Sequence, residues 1–97
     1  MTNTITASDL NALLKRINQS AGFEAPKWSE VGSYDLSWAY GGVKLVQYVS
    51  AGGGEKDITH GFDTKRVTYG KMLAYLAGFE TSKVMTEAQR VYNEGRA

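Results

Sequence analysis

The chain of 97 residues contains one histidine, His60, which with its neighbours is the first candidate for a catalytic or metal-binding site. Asp57 and Asp63 flank it, so the segment can be read as a metal site or as a general base with its carboxylates. Zinc prefers several nitrogen or sulfur ligands, however, and the chain has no cysteine. No serine at a strained strand-to-helix turn accompanies the histidine either. We therefore predict no catalytic residues, no metal, no cofactor and a protein that is not an enzyme.

Three consecutive glycines, Gly52, Gly53 and Gly54, form a candidate anion site. Glycine permits the close approach and unusual dihedral angles with which backbone N–H groups cradle a phosphate. The spacing does not match a P-loop, because Glu55 separates the glycines from Lys56 and an aspartate follows that lysine. A flexible connection is the simpler interpretation, and phosphate binding is the alternative.

A second candidate anion site is the predicted start of a helix, where Lys65 and Arg66 follow Thr64. Cations at this end of a helix dipole are disfavoured by about 0.3–1 kcal/mol, so we expect something to compensate them. Asp63 can do so alone, but helix N–H groups and two cations could also receive a phosphate or carboxylate from a partner. The anion-binding alternative combines this helix start with the three glycines.

The chain is rich in aromatic residues, with six tyrosines and two tryptophans. Protein interfaces and base-stacking platforms both use aromatic anchors. Most of these residues fall on the apolar stripes of predicted elements, so we expect the majority in the core. The predicted partner-binding surface comprises Lys44, Tyr48, Lys56, Lys65 and Arg66.

The element around which these residues are organised is a predicted β-hairpin in residues 34–48. Large side chains alternate with small or polar ones in its first half, as in a strand with one buried face. These large residues are Tyr34, Leu36, Trp38 and Tyr40. A two-residue turn at Gly41 and Gly42 would supply the positive φ that tight hairpins need, and would place Tyr40 opposite Val43.

Helical periodicity appears on both sides of the hairpin. We predict helix one between an N-cap at Ser8 and a glycine stop at Gly22. Its apolar stripe consists of Leu10, Leu13, Leu14 and Ile17. Helix two is predicted to begin after Asp63 or Thr64 and to end at Gly78. Residues 58–62 are either a third strand or an extended lead into this helix.

A third helix is predicted beyond Gly78, with Gly95 as its stop. Its apolar positions are Val84, Met85, Ala88, Val91 and Tyr92. This stripe offers a homodimer face if the core is already full. The order of elements is thus α-β-β-(β)-α-α. We predict an α+β fold in which an antiparallel β-hairpin or three-stranded sheet packs against two to three helices.

Composition favours a single compact domain over residues 1–97, with a flexible lead in residues 1–7. The net charge of +1 argues against a strongly basic nucleic-acid binder. No apolar run approaches the roughly 18 residues that a membrane span needs, and the first residues lack the pattern of a signal peptide. Together with the absence of cysteine, this predicts a cytoplasmic protein without membrane contact.

Four motifs follow one another within residues 36–79. They are Ala39-Tyr40-Gly41-Gly42-Val43-Lys44-Leu45, Gly52-Gly53-Gly54, Thr64-Lys65-Arg66 and Leu73-Ala74-Tyr75-Leu76-Ala77-Gly78. Their order resembles small uncharacterised proteins encoded by phages and prophages. The resemblance implies no activity and no catalytic residues. It implies a context, since small phage proteins often act on host machinery and many inhibitors of CRISPR–Cas and other defences are single compact domains.

We therefore expect a phage-derived interaction protein that binds and inhibits a host protein complex, with a defence system such as CRISPR–Cas as the candidate target. Its location would be the cytoplasm of the bacterial host. The alternative is a protein that binds nucleic acid or sequesters a nucleotide. The sequence names neither the partner nor the oligomeric state.

Overall fold

The computed structural model describes the backbone of residues 4–94 and the side chains of residues 4–82. In this part of the chain, two helices accompany a three-stranded antiparallel sheet with the strand order β1-β2-β3. The elements are α1 (Ala7–Ser20), β1 (Tyr34–Ala39), β2 (Gly42–Tyr48), β3 (Glu55–Asp57) and α2 (Lys65–Glu94). The predicted α+β class is confirmed, with three strands and two helices.

The core lies between one face of the sheet and the two helices. The buried apolar side chains that form it are Leu10, Leu13, Ile17, Tyr34, Val43, Leu45, Met72 and Leu76. Burial of each leucine or isoleucine in this cluster contributes about 1.5–3 kcal/mol to folding. The stripe predicted for helix one is therefore the face that α1 buries, and Leu14 packs against its margin.

The first turn of α1 is closed by a capping box. The Thr6 side chain accepts a hydrogen bond from the Asp9 N–H at 3.2 Å, and the Asp9 carboxylate accepts one from the Thr6 N–H at 2.9 Å. The predicted N-cap, Ser8, is therefore wrong by two positions. Ile5 packs against the core, and α1 begins at Ala7, while the flexible lead over residues 1–7 stays a prediction. Residues 1–3 lie outside the described chain.

The end of α1 confirms the predicted glycine stop. Gly22 has a φ of +95°, and its N–H donates to the Gln19 carbonyl at 3.0 Å. The Phe23 N–H donates to the Asn18 carbonyl at 2.7 Å. This pair of hydrogen bonds is the Schellman motif, which satisfies two carbonyls of the last turn.

The turn of the β1–β2 hairpin consists of Tyr40 and Gly41, with φ values of +54° and +71°. The predicted turn at Gly41 and Gly42 is wrong by one residue. Trp38 rather than Tyr40 therefore lies opposite Val43. A shift of two residues in the pairing keeps every side chain on its predicted face, because side chains alternate with a period of two.

Gly42 is excluded from the turn because another segment lies against it. A Cβ atom at this position would lie 2.9 Å from the Asp63 carbonyl oxygen and 3.3 Å from the Phe62 Cβ. Asp63 forms an isolated antiparallel bridge with Val43, through hydrogen bonds of 2.9 and 3.1 Å. The glycine is therefore needed for the close approach of two backbones rather than for a turn.

Residues 58–62 form neither a strand nor an extended lead. β3 ends at Asp57, whose carboxylate accepts hydrogen bonds from the His60 and Gly61 N–H groups at 2.8 and 2.7 Å. Both residues have left-handed backbones, with φ values of +63° and +96°. The Ile58 N–H still donates to the Leu45 carbonyl of β2 at 2.9 Å; after it the chain bulges away from β2 and rejoins it at Asp63.

α2 runs without interruption for 30 residues. The predicted stop at Gly78 and the separate third helix are therefore wrong. An interior glycine costs a helix only about 1 kcal/mol, which the flanking helix formers offset. The side chains of residues 83–94, which include the predicted homodimer face, and the predicted stop at Gly95 lie outside the described side chains. Among the described residues, no helix has the length and apolarity that a membrane crossing needs.

Candidate functional site at the hairpin tip

β2 separates the residues of the predicted anion site. Lys65 and Arg66 follow the residue that pairs with Val43, near the beginning of β2. The glycines of residues 52–54 lie in the loop that begins after its last residue, Tyr48. From position 43 to position 48 a strand rises by roughly 17 Å. The structure therefore does not assemble the glycines and the two cations into one site.

The glycine loop uses its own N–H groups. The Gly53 N–H donates to the Ser50 carbonyl at 3.1 Å, and the Gly54 N–H donates to the Ser50 hydroxyl at 3.0 Å. The Val49 N–H closes the loop on the Gly54 carbonyl at 2.8 Å. Two of the amides proposed to cradle a phosphate thus hold the β2–β3 connection together.

Tyr48 is buried on the face of the hairpin that carries Asp35 and Lys44, opposite to the face of Val43 and Leu45. Only 4% of its surface is exposed, and its hydroxyl donates to the Asp35 carboxylate at 2.7 Å. Burial, followed by the hydrogen bond to Asp35, raises the pKa of Tyr48 to about 12. This position leaves Tyr48 almost no surface for the partner contact that we predicted.

Lys56, Lys65 and Arg66 are exposed, but Lys56 does not lie with the other two. Lys56 lies on β3, opposite Gln47. Lys65 and Arg66 begin α2, whose first turn is capped by the Thr64 hydroxyl, an acceptor for the Val67 N–H at 3.2 Å. Within the described side chains, neither Lys65 nor Arg66 forms an ion pair.

Lys44 is the predicted contact residue with the most defined surroundings. Its ammonium nitrogen lies 3.6 Å from the Asp57 carboxylate and 4.6 Å from the centre of the Phe62 ring. Tyr40 packs edge-on against the same ring, with 5.5 Å between ring centres. We call Tyr40, Phe62 and Lys44 the tip cluster, because they surround the turn of the hairpin.

Tyr40 is a surface residue that the sequence pattern does not reveal. It is 95% exposed, although the alternating pattern of β1 assigns it to the core stripe. Trp38, the last large residue of β1 before the turn, is 48% exposed. The signal that could have revealed Tyr40 is Gly42, since a glycine needed inside β2 moves the turn back by one residue.

Asp57 links the tip cluster to the bulge of residues 58–62. Burial alone raises its pKa, but the N–H groups of Gly61 and His60 and the ammonium group of Lys44 outweigh this effect and lower the pKa below its ordinary value. The ionised carboxylate therefore stabilises the folded state. This contribution is complete above the pKa of unfolded aspartate, about 3.9, and is lost as the pH falls through the lower folded pKa.

Replacing Asp57 by asparagine should lower the free energy of unfolding at neutral pH by about 1–2 kcal/mol, because charged hydrogen bonds are lost. The difference from the wild type should begin to narrow below about pH 4, where the carboxylate of the unfolded chain becomes protonated, and should close as the pH falls through the lower pKa of the folded protein. Urea unfolding at pH 7 and pH 3 measures both values. Glu30→Gln, at an exposed carboxylate, is the control. A difference that stays constant with pH would contradict this role of Asp57.

His60 is exposed, and its backbone rather than its imidazole takes part in the bulge. In the part of the chain that the structure describes, no three His, Asp or Glu side chains are arranged to hold a metal ion.

Comparisons with protein-family models, curated proteins and solved structures found no match to this chain. The functional proposal therefore depends on the geometry of the chain itself.

Proposed function

We propose that this protein is a small interaction protein that binds another protein through the tip cluster and inhibits it by occupying part of its surface. The observation that carries the proposal is Tyr40, which is 95% exposed and has a left-handed φ of +54°. A left-handed backbone at a residue other than glycine costs about 1 kcal/mol or more. Asparagine or glycine would close the same turn with less strain.

An exposed, strained tyrosine contributes little to the stability of the free protein. A partner that buries the ring would gain a large apolar surface with few side-chain torsions to order, which is why tyrosine is common among binding hot spots. Phe62 supports the ring from one side. Lys44 adds a cation at the margin of the same cluster.

The open edge of β1 adds hydrogen-bonding groups to this end of the molecule. In the observed register the N–H and C=O groups of Trp38 point away from β2, because Val43 on the facing strand uses its own groups to bind Asp63. No backbone partner of Trp38 occurs within residues 4–94. A strand of the partner could pair with this edge while its side chains contact the tip cluster.

The class of target that we propose follows from the resemblance to small phage and prophage proteins. A host protein complex, with a defence system such as CRISPR–Cas as the candidate, would be inhibited stoichiometrically in the cytoplasm of the bacterial host. Lys65 and Arg66 lie at the same end of β2 as the tip cluster and would form a basic flank of the interface. Such a flank affects the association rate more than the affinity.

Tyr40→Asn should separate binding from folding. Asparagine favours the left-handed turn, so we expect the free energy of unfolding to rise by about 0.5–1 kcal/mol. Loss of the anchor should reduce partner binding by about tenfold or more, as for an interface hot spot. Urea unfolding measures the first effect. Pull-down from host lysate, with bound proteins identified by mass spectrometry, measures the second.

The matched control is Val49→Asn, which changes an exposed apolar residue at the other end of β2 and should retain the partner. Nuclease treatment of the lysate distinguishes the nucleic-acid alternative. Recovery of nucleic acid alone, with a steep dependence on salt, would overturn the proposal. Equal recovery of the partner by Tyr40→Asn and the wild type would overturn the role of the tip cluster.

The double variant Lys65→Glu with Arg66→Glu tests whether the basic flank belongs to the interface.

A further inference from the structure

A cavity of about 270 Å³ lies at the end of the sheet away from the tip cluster. It is bounded by α1, by the connection between α1 and β1, and by the first residues of β1. Trp28, Tyr48 and Asp35 are among the residues that line it. Pockets for drug-sized ligands usually exceed about 300 Å³, so this one is matched to a single side chain or a similarly small group.

The least exposed charged residue of the cavity lining is Asp35. Asp35 is half-buried, whereas the other charged lining residues, Lys15, Lys27 and Glu24, are exposed at the rim. Exposed charges of both signs are screened by solvent and contribute little to the field inside. The half-buried carboxylate therefore determines which ligands are favoured, and it favours a cation.

The Asp35 carboxylate is held in a fixed orientation. One oxygen accepts a hydrogen bond from the Leu36 N–H at 2.8 Å, and the other accepts one from the Tyr48 hydroxyl at 2.7 Å. A carboxylate offers about four acceptor positions, so each oxygen retains one for a ligand. The site is pre-organised, and binding would order no further protein side chain at this point.

Trp28 supplies an aromatic wall that folding alone does not explain. The edge of its indole lies against the glycine loop, with its Cη2 atom 3.2 Å from the position that a Gly53 Cβ would occupy. Its ring meets Tyr48 at an angle of 65°, with 6.1 Å between ring centres. Yet 74% of the residue remains exposed. The indole is thus held in place while much of its surface stays open beside the Asp35 carboxylate.

We propose that this cavity binds the guanidinium group of an arginine, which stacks on Trp28 and donates hydrogen bonds to Asp35. Guanidinium is planar, weakly hydrated and suited both to stacking on indole and to hydrogen bonding with a carboxylate. A lysine ammonium is more strongly hydrated and cannot stack. The arginine can be a residue of a polypeptide or the free amino acid, whose carboxylate would meet the rim lysines.

The probe is N-acetyl-L-arginine methylamide, titrated into the full-length protein while the amide resonance of Asp35 is followed by NMR. We expect saturable shifts with a dissociation constant in the millimolar range, as one small pocket allows. The matching citrulline compound has the same shape without the charge and should not bind. Free L-arginine distinguishes the two sources, since tighter binding than the methylamide would indicate the amino acid and weaker binding a polypeptide.

Trp28→Ala should weaken binding of the methylamide by about tenfold. This residue is mostly exposed, so the variant should fold. Asp35→Asn should weaken it at least as much, with thermal melting as the check on folding. Leu73→Ala, at an exposed apolar residue of α2, should bind the methylamide as the wild type does.

No saturable shift with the arginine probe, or equal shifts with the citrulline compound, would overturn the proposal. Tyr40→Asn should leave this binding unchanged, so the two proposals can fail separately.

Discussion

Gly42→Ala is expected to lower the free energy of unfolding by about 3 kcal/mol, the size of an overpacking defect combined with a lost hydrogen bond. The added methyl group would lie 2.9 Å from the Asp63 carbonyl oxygen and 3.1 Å from its nitrogen. Both are backbone atoms, so relief requires the chain to move away from β2. That movement would break the bridge between Asp63 and Val43.

The matched control for this change is Gly52→Ala. The control position has no atom within 4 Å of an added Cβ and no left-handed φ, so we expect a change within about 0.5 kcal/mol. Urea unfolding of the two variants and the wild type at neutral pH gives the comparison. If the two alanine variants are equally stable, the close approach at Gly42 does not determine the position of the hairpin turn.

Asn18→Leu is expected to lower the free energy of unfolding by about 2–4 kcal/mol, because two buried backbone groups would lose their partners. The Asn18 side chain accepts a hydrogen bond from the Tyr34 N–H at 2.8 Å and donates one to the Tyr34 carbonyl at 3.1 Å. These groups lie on the outer edge of β1, where no strand within residues 4–94 pairs with them. Leucine keeps the number and branching of the side-chain heavy atoms and provides neither hydrogen bond.

Asn11→Leu is the control on the same helix, since Asn11 is exposed. A change within about 0.5 kcal/mol is expected there. Hydrogen exchange adds a readout that is specific to the contact, since the Tyr34 amide should lose protection in Asn18→Leu more than the amides of β2. Undiminished protection of Tyr34 would show that Asn18 does not join α1 to β1.

Periodicity in the sequence was sufficient to predict the parts of the fold that depend on neighbouring residues. The spacing of Leu10, Leu13 and Ile17 identifies the buried face of α1, and the alternation in residues 34–48 assigns the two faces of the hairpin. Both patterns follow from the helical and strand repeats alone. The candidate site was predicted less well. Lys44 lies in the tip cluster, whereas Tyr48 is buried and Tyr40 was assigned to the core.

Two identical tetrapeptides show where such local information ends. Ala21-Gly22-Phe23-Glu24 ends a helix, whereas Ala77-Gly78-Phe79-Glu80 lies inside one. After the first, Pro26 cannot continue a helix, because its ring would clash with the preceding turn. The second has no following proline, and α2 continues past it. A local motif allows a chain reversal, but the residues around it determine whether the reversal occurs.

The sequence by itself determined the class of fold, the faces of its elements and the end of α1, because these depend on side chains within one or two turns of each other. Only the tertiary structure decided the position of the hairpin turn, through the contact of Gly42 with Asp63 about twenty residues later in the chain. The exposure of Tyr40 and the cavity beside Trp28 likewise depend on segments that meet only in the folded protein. Close approach between distant backbones leaves no periodic trace in a sequence, and it is this approach that positions the candidate functional residues.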